Sequence, residues 1–429
     1  MIKGPVHYIW KYRLVQYCST TLTSGEQITV ISSGKESAEG NLFTDARIRI
    51  GDKELTGNIL LHERCNRPQS DDDDSRHGDV ILHVCMPENG QIPLWDSNRS
   101  PMLIITLPDN VKDELRRMTS QTDNLPCHES LAAISSIDQH AYMSRLLVER
   151  IEEKGAIITS TLKQCEGRWN DALLKTTIRS FGFGIQSAAF NDLAEVLNIR
   201  ALEKHRDNLL QIEAIMLGQA GLLEEKSIPY YYLENARNEC YYRELVREFA
   251  FLRNKFGLQT LDCSIWNSNY TPHVRIARLA QMYHREHLDI SRIVQQCGTV
   301  TDYHRLIDCT LQGYWSNHTC IGGTATSGNG CMSRRHLDII TINAIVPIIY
   351  IWGKLHGKES ECSRAEDILH QINYEENRIV RQWKQWGAKV ECAADSQAVL
   401  QLDKRYCRMH RCADCLFAYH HIRQMLVAR

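Results

Sequence analysis

The chain has 429 residues, enough for two domains or one large one, and its 43% hydrophobic and 24% charged residues are typical of a globular protein. A formal net charge of -2 argues against a broadly basic nucleic-acid-binding surface and leaves room only for a local basic patch. Sixteen cysteines are scattered without the dense spacing of a small secreted disulfide scaffold. We therefore predict a cytoplasmic protein with mostly free thiols.

The first hundred or so residues have the pattern of a mixed sheet with some helix. Residues 7–17 have loosely helical apolar spacing, and "QITVIS" (27–32) is typical of a strand. Residues 45–62 alternate apolar and charged positions around Gly51-Asp52, which predicts a hairpin. Two continuous apolar runs, 79–85 and 101–107, predict buried strands. We expect a mixed α/β domain over residues 1–120.

Beyond a polar, proline-containing stretch at 120–130, the pattern becomes helical. Apolar residues recur at helical spacing in 206–223, in 244–258 and in 375–387, where the pattern stops at Gly387. The longest apolar run, 339–352, is too short for a membrane span, so we interpret it as a core element and predict no membrane association. The fold class predicted is α+β, with an all-helical domain over 121–429.

Three further stretches have ordinary interpretations. Four successive aspartates at 71–74 indicate a solvated turn rather than a cation site, because nothing fixes them in an oxygen cage. His284 and His287 lack the spacing of a zinc protease and indicate a solvated helix face. The glycine-rich segment 320–331 lacks the lysine of a phosphate-binding loop and indicates a flexible connection.

The C-terminal "RYCRMHRCADC" (405–415) is the strongest chemical signal in the chain. We predict a helix from Asp395 to about Tyr406 and another from about Cys412, so that the chain ends in a cysteine-rich helix-turn-helix. Cys412 and Cys415 would share a face, and Cys407 would approach them across the connection. The candidate metal ligands are Cys407, Cys412, Cys415 and His410, with zinc or an iron–sulfur cluster as the cofactor. Two alternatives remain open: a distant cysteine as the fourth ligand, and thiols that bind no metal.

The chain resembles DUF 2851, an uncharacterised bacterial family, over nearly its whole length. The stretches that carry the resemblance keep the family's order: "HYIWK", "DARIRI", "GNILLH", "DVILHV", "FGFGIQSAAFNDLAEVL", "QIEAIMLGQAGLL", "EFAFLRNKFGL", "RIARLAQ", "GYWSNH", "INAIVP", "EENRIVRQW" and "ADSQAVLQLDKRYCRMHRCADC". The terminal cysteine pattern is part of this resemblance, which favours metal binding. The family supplies no activity.

The resemblance also implies a fold. Family members resemble "GPDF…A…GNVEIH" in the β region, a layout similar to the carboxylate pair of restriction-endonuclease-like nucleases, which holds Mg²⁺. Here Leu42 stands at the aspartate position and Leu60 at the glutamate position. Asp45 and Glu63 lie nearby, but Glu63 is expected on the opposite face, and His62 alone is a poor magnesium site.

Three classes of function follow from these patterns. The first is a degenerate nuclease-like protein that has lost cleavage and associates with nucleic acid, with Arg405, Arg408 and Arg411 as its basic residues. The second is a structural or interaction scaffold with a C-terminal metal staple. The third, a metal-dependent hydrolase, needs carboxylates that the two key positions lack. Whether the chain is an enzyme stays open, and the leucines at these two positions count against it. No protein partner is indicated.

Overall fold

A computed structural model describes residues 4–37, 41–62, 79–87, 100–119, 126–182, 186–267, 269, 272–285, 288–325 and 329–428. The chain forms two compact units. The first comprises Met1–Leu146, Glu376–Val390 and Ala398–Arg429, and the second comprises Leu147–Glu375 and Glu391–Gln397. A mixed sheet near the N-terminus is followed by a larger helical region, which confirms the predicted α+β class. The division into consecutive domains 1–120 and 121–429 stays a prediction.

The sheet of the first unit has seven strands: β1 Ser19–Leu22, β2 Ile28–Ser32, β3 Lys35–Glu36, β4 Leu42–Ile50, β5 Lys53–His62, β6 Val80–Cys85 and β7 Met102–Thr106. Their order is β1-β7-β6-β5-β4-β2, with β3 also beside β4. Strand β6 runs parallel to both β5 and β7, and the other pairs are antiparallel. Strands β4 and β5 pair as the predicted hairpin. The predicted alternation in β4 is also present and buries Ala46 and Ile48.

The same unit also contains short helices. They are Pro5–Lys11, Asp109–Thr119, Arg378–Gln385 and Leu416–Val427, with 3-10 helices Leu14–Tyr17 and Pro126–Ala133. Trp10 is fully buried, and its Nε1 donates to the Ser33 carbonyl oxygen at 3.1 Å. Trp383 is buried as predicted, and Gly387, with φ of 93°, follows the end of its helix.

The second unit is almost entirely helical. Its helices are Trp169–Ser180, Ser187–Val196, Ile199–Lys204, Leu209–Gln219, Tyr230–Asn238, Cys240–Phe256, Pro272–His284, Ile290–Gln295, Val300–Ile307, Arg334–Ile340, Val346–Leu355 and Glu359–Gln371. The long helix Ser136–Gln164 and the helix Ala393–Leu402 each cross a boundary between the units. Ile212, Met216, Leu245 and Leu252 are buried, which confirms the predicted apolar faces.

The apolar run 339–352 lies in a longer helical segment, Arg334–Leu355, interrupted by a π-helical turn at Thr341–Ile345. By length and composition this longer segment could span a membrane, whereas the run 339–352 alone is too short. Its most apolar window is 72% buried inside the protein, as the core helix of a globular unit is. The predicted absence of membrane association and the predicted cytoplasmic location stay predictions.

The glycine-rich segment is better anchored than its composition suggests. It contains a small hairpin, β8 His318–Cys320 and β9 Gly323–Thr324. The Asn329 side chain donates to the His318 carbonyl oxygen at 2.7 Å, and Arg278 donates to the Gly330 carbonyl oxygen at 3.0 Å. The described parts of this segment are therefore fixed by side chains. Residues 326–328 and the aspartates 71–74 lie outside the described residues.

The predicted histidine-bearing helix face is only partly described. His284 is half-buried rather than solvated, and its Nδ1 lies 2.8 Å from the Arg206 carbonyl oxygen. His287 lies outside the described residues.

Candidate metal centre

The C-terminal cysteines lie on a compact reversal of the chain in the first unit. Helix Ala393–Leu402 continues into a π-helical turn that ends at Cys407, and Cys412 begins a 3-10 turn. The backbone N–H of His410 donates to the Cys407 carbonyl oxygen at 3.1 Å, and that of Cys415 donates to the Cys412 carbonyl oxygen at 3.0 Å. His410 itself has a left-handed backbone, with φ of 50°. These turns bring the three cysteines together.

The last helix begins at Leu416, so the predicted start near Cys412 was wrong. Cys415 has an extended backbone, with φ of -97° and ψ of 127°, and caps the helix. The Arg411 guanidinium donates to the Asp414 carboxylate, and the Asp414 N–H donates to the Arg411 carbonyl oxygen at 3.0 Å. This local turn competes with helix over residues 411–414.

A fourth cysteine joins these three from far earlier in the chain. Cys127 lies in the 3-10 helix Pro126–Ala133, which packs against the last helix. Between the two elements, Ser130 Oγ and His421 Nδ1 are 2.7 Å apart. The thiol of Cys127 interacts electrostatically with those of Cys407, Cys412 and Cys415. Four thiols from two distant segments therefore share one site.

Burial and mutual proximity keep these thiols uncharged when no cation is present. Burial raises the pKa of Cys127 and of Cys412 to about 12, and neighbouring thiols add to both shifts. Burial, followed by the Cys415 thiol, also raises the pKa of Cys407. A coordinated cation reverses this preference because it deprotonates a ligating thiol.

Polar groups surround Cys415, the most enclosed of the four. This residue is 7% exposed, and burial raises the pKa of its thiol against the lowering effect of the backbone N–H groups of Phe417 and Ala418. The Tyr142 hydroxyl interacts with the same thiol. The hydroxyl of Tyr8, which is 3% exposed, has no hydrogen-bond partner among the described residues and interacts electrostatically with Cys412 and Cys415. Such donors are the usual surroundings of a metal-bound thiolate.

Within the described residues, no group of three or more His, Cys, Asp or Glu side chains is arranged to hold a metal ion. The ligand set Cys407, Cys412, Cys415 and His410 therefore stays a prediction. Cys127 was not among the ligands predicted from the sequence, although a distant cysteine was left open as the fourth ligand. Most described cysteines are thiols, as predicted, whereas Cys85 is disulfide-bonded.

The two suspected nuclease positions lie beside each other on neighbouring strands. Leu42 on β4 pairs with Leu60 on β5, and Leu60 is 3% exposed. His62 Nε2 lies 2.9 Å from His83 Nδ1 on the neighbouring strand. Asp45 lies on a bulge, is largely exposed, and pairs with Lys35 at 3.7 Å. Glu63 lies outside the described residues. The paired positions thus present two isobutyl groups where a magnesium site needs oxygen atoms.

The arginines near the cysteines are engaged with local partners. Arg408 Nε lies 2.7 Å from the Asp403 carboxylate, and Arg411 lies 3.1 Å from the Asp414 carboxylate. Arg411 also lies over the Tyr406 ring, 5.2 Å from its centroid. Arg405 is exposed. The carboxylates partly neutralise the charges of Arg408 and Arg411, which weakens the attraction of these two residues to a phosphate backbone.

Comparison with known proteins identifies the family. A family model described as "Protein of unknown function (DUF2851)" matches residues 5–378, nearly the whole chain, and the chain belongs to this family. The matched region includes Cys127 and ends before Cys407, so the C-terminal cysteines lie beyond it. No curated protein and no solved structure matches the chain.

Proposed function

We propose that the chain carries a structural metal site formed by Cys127, Cys407, Cys412 and Cys415, which fastens its C-terminal segment within the sheet-bearing unit. The observation that carries this proposal is the arrival of Cys127 beside the three C-terminal thiols. Four thiolates fill the coordination of a closed site, and a closed site stabilises a fold rather than activating water.

Cys127 suits the fourth position better than His410. Its thiol interacts with all three C-terminal cysteines and lies in an element that packs on the last helix. His410 supplies the left-handed turn between Cys407 and Cys412. We assign His410 to the geometry of the turn and Cys127 to the metal.

The sheet supports a scaffold rather than a hydrolase. A two-carboxylate magnesium site is missing at Leu42 and Leu60, which pair directly with each other. The degenerate nuclease-like character of this sheet belongs to the proposal and rests on those two positions. Association with nucleic acid also remains a hypothesis, and the pairing of Arg408 with Asp403 and of Arg411 with Asp414 counts against it.

The test is metal content coupled to stability. The purified full-length chain is analysed for bound metal by mass spectrometry and for its thermal unfolding, in parallel with Cys127→Ser. We expect metal in the wild type, loss of that metal in the variant, and a lower unfolding temperature for the variant. Wild-type protein without metal, and a Cys127→Ser variant of equal stability, would contradict the proposal.

A matched control uses a cysteine outside this cluster. Cys240 is exposed at the start of helix Cys240–Phe256. Cys240→Ser should keep both the metal and the unfolding temperature of the wild type. His410→Ala should also keep the metal, since the proposal gives His410 no ligating role.

A further inference from the structure

We infer that the site formed by the four cysteines holds an iron–sulfur cluster rather than a single zinc ion. This inference rests on the proposed metal site and specifies its chemistry. Two features carry it: the spacing of the ligands along the chain, and the polar groups around their buried sulfurs.

Three of the four ligands lie close together in the sequence, and the fourth lies far from them. Four residues separate Cys407 from Cys412, two separate Cys412 from Cys415, and the fourth cysteine comes from elsewhere in the chain. This is the C-x4-C-x2-C spacing with a distant fourth cysteine that plant-type ferredoxins use for a cluster of two irons and two sulfides. Structural zinc sites instead take their ligands as two local pairs, and Cys127 has no paired cysteine or nearby spaced histidine of that kind.

The surrounding donors suit the negative charge that bridging sulfides and thiolates share. Two backbone N–H groups at the start of the last helix, those of Phe417 and Ala418, interact electrostatically with the Cys415 thiol. The Tyr142 hydroxyl also interacts with that thiol, and the buried Tyr8 hydroxyl, which interacts electrostatically with Cys412 and Cys415, has no hydrogen-bond partner among the described residues. Hydrogen bonds to sulfur and exclusion of water are the means by which a protein stabilises a cluster and sets its potential.

The experiment is anaerobic purification of the full-length chain, followed by its visible spectrum and by quantification of iron, acid-labile sulfide and zinc. We expect a brown protein with iron and sulfide in equal amounts, and a several-fold loss of both in Cys127→Ser and in Cys412→Ser. Cys240→Ser and His410→Ala should retain the wild-type colour.

Zinc in place of iron, lost in Cys127→Ser, would overturn the cluster and leave the structural metal site standing. Neither metal in the wild-type chain, purified without oxygen and after attempted reconstitution with iron and sulfide, would overturn both. If the serine variants fail to fold, bleaching the wild type with an iron chelator replaces them. Loss of colour together with a fall in unfolding temperature supports the cluster at this site, and an unchanged unfolding temperature after complete loss of colour overturns it.

Discussion

Glu213 is a buried residue whose ionisation should change the stability of the fold with pH. It is 3% exposed in helix Leu209–Gln219, and its carboxylate accepts from the Tyr241 hydroxyl at 2.6 Å and from Gln281 at 3.4 Å. Burial raises the pKa of Glu213 from 4.5 to about 7, against the lowering effect of both donors. The folded state therefore holds a proton that the unfolded state releases between these two pH values, so stability falls as pH rises through this window.

Glu213→Gln removes this proton linkage and keeps an oxygen that can accept from Tyr241. We expect the variant to gain stability relative to wild type as pH rises from 4.5 to 7, by about 3 kcal/mol at most, and to show no further gain at higher pH. Urea unfolding at several pH values measures the difference. Glu234→Gln, at an exposed carboxylate of the same unit, should follow the wild-type curve. Parallel curves for Glu213→Gln and wild type would show that Glu213 ionises equally in both states.

Residue-level chemistry could be predicted only where its signal was local. Cys407, Cys412 and Cys415 lie within one short segment and were predicted as a group. Cys127 was not, because its neighbours indicate a linker and only the packing of Pro126–Ala133 on the last helix brings it to the site. Glu213 did carry a local signal: it interrupts "LLQIEAIML", which is apolar on all sides, as buried helices are.

At the scale of elements, one close helix–helix contact offers a sharp test of packing. Gly218 in helix Leu209–Gln219 faces the ring of Phe249 in helix Cys240–Phe256, and a Cβ at Gly218 would overlap that ring. Alanine in a helix is favoured over glycine by about 1 kcal/mol, but overpacking costs about 1–3 kcal/mol. We expect Gly218→Ala to destabilise the protein by about 1–2 kcal/mol in urea unfolding.

Two variants establish the cause of that loss. Gly298→Ala introduces the same methyl group where no atom lies within 4 Å, and should change stability by no more than about 0.5 kcal/mol. Phe249→Leu combined with Gly218→Ala should be less destabilising than the sum of the two single changes, because the smaller side chain relieves the overlap. Strict additivity would mean that Gly218→Ala acts on the backbone rather than on this contact.

Elements with strong periodicity were predicted well, and a helix end set by a local turn was not. Strands β4 to β7 follow directly from alternation or from continuous apolar runs bounded by turns. The start of the last helix depends instead on the Arg411–Asp414 turn and on the extended backbone of Cys415. The apolar spacing of Cys412, Leu416 and Tyr419 could not show where the helix begins, since a 3-10 turn preserves similar spacing.

At the scale of the whole molecule, the C-terminal segment and the N-terminal sheet belong to one compact unit. The Tyr12 hydroxyl donates to the Ala413 carbonyl oxygen at 2.5 Å, which joins the two ends of the chain directly. No sequence pattern reports such a contact, because periodicity describes only neighbours along the chain. The segment Ala398–Arg429 is therefore part of the core of this unit rather than an appendage.

Deleting that segment should unfold the unit to which it belongs. Four of its side chains, Leu402, Phe417, Ile422 and Leu426, are at most 3% exposed. Burial of each stabilises the fold by about 1.5–3 kcal/mol, and the sum is comparable with the total stability of a typical domain, about 5–15 kcal/mol. In the chain 1–397 we expect amides of β4 and β5 to lose protection from hydrogen exchange. The chain 1–426, which lacks only exposed described residues, should keep wild-type protection. Protected strands in 1–397 would mean that the sheet is stable without the C-terminal segment, and that metal bound at the cysteines fastens a dispensable tail.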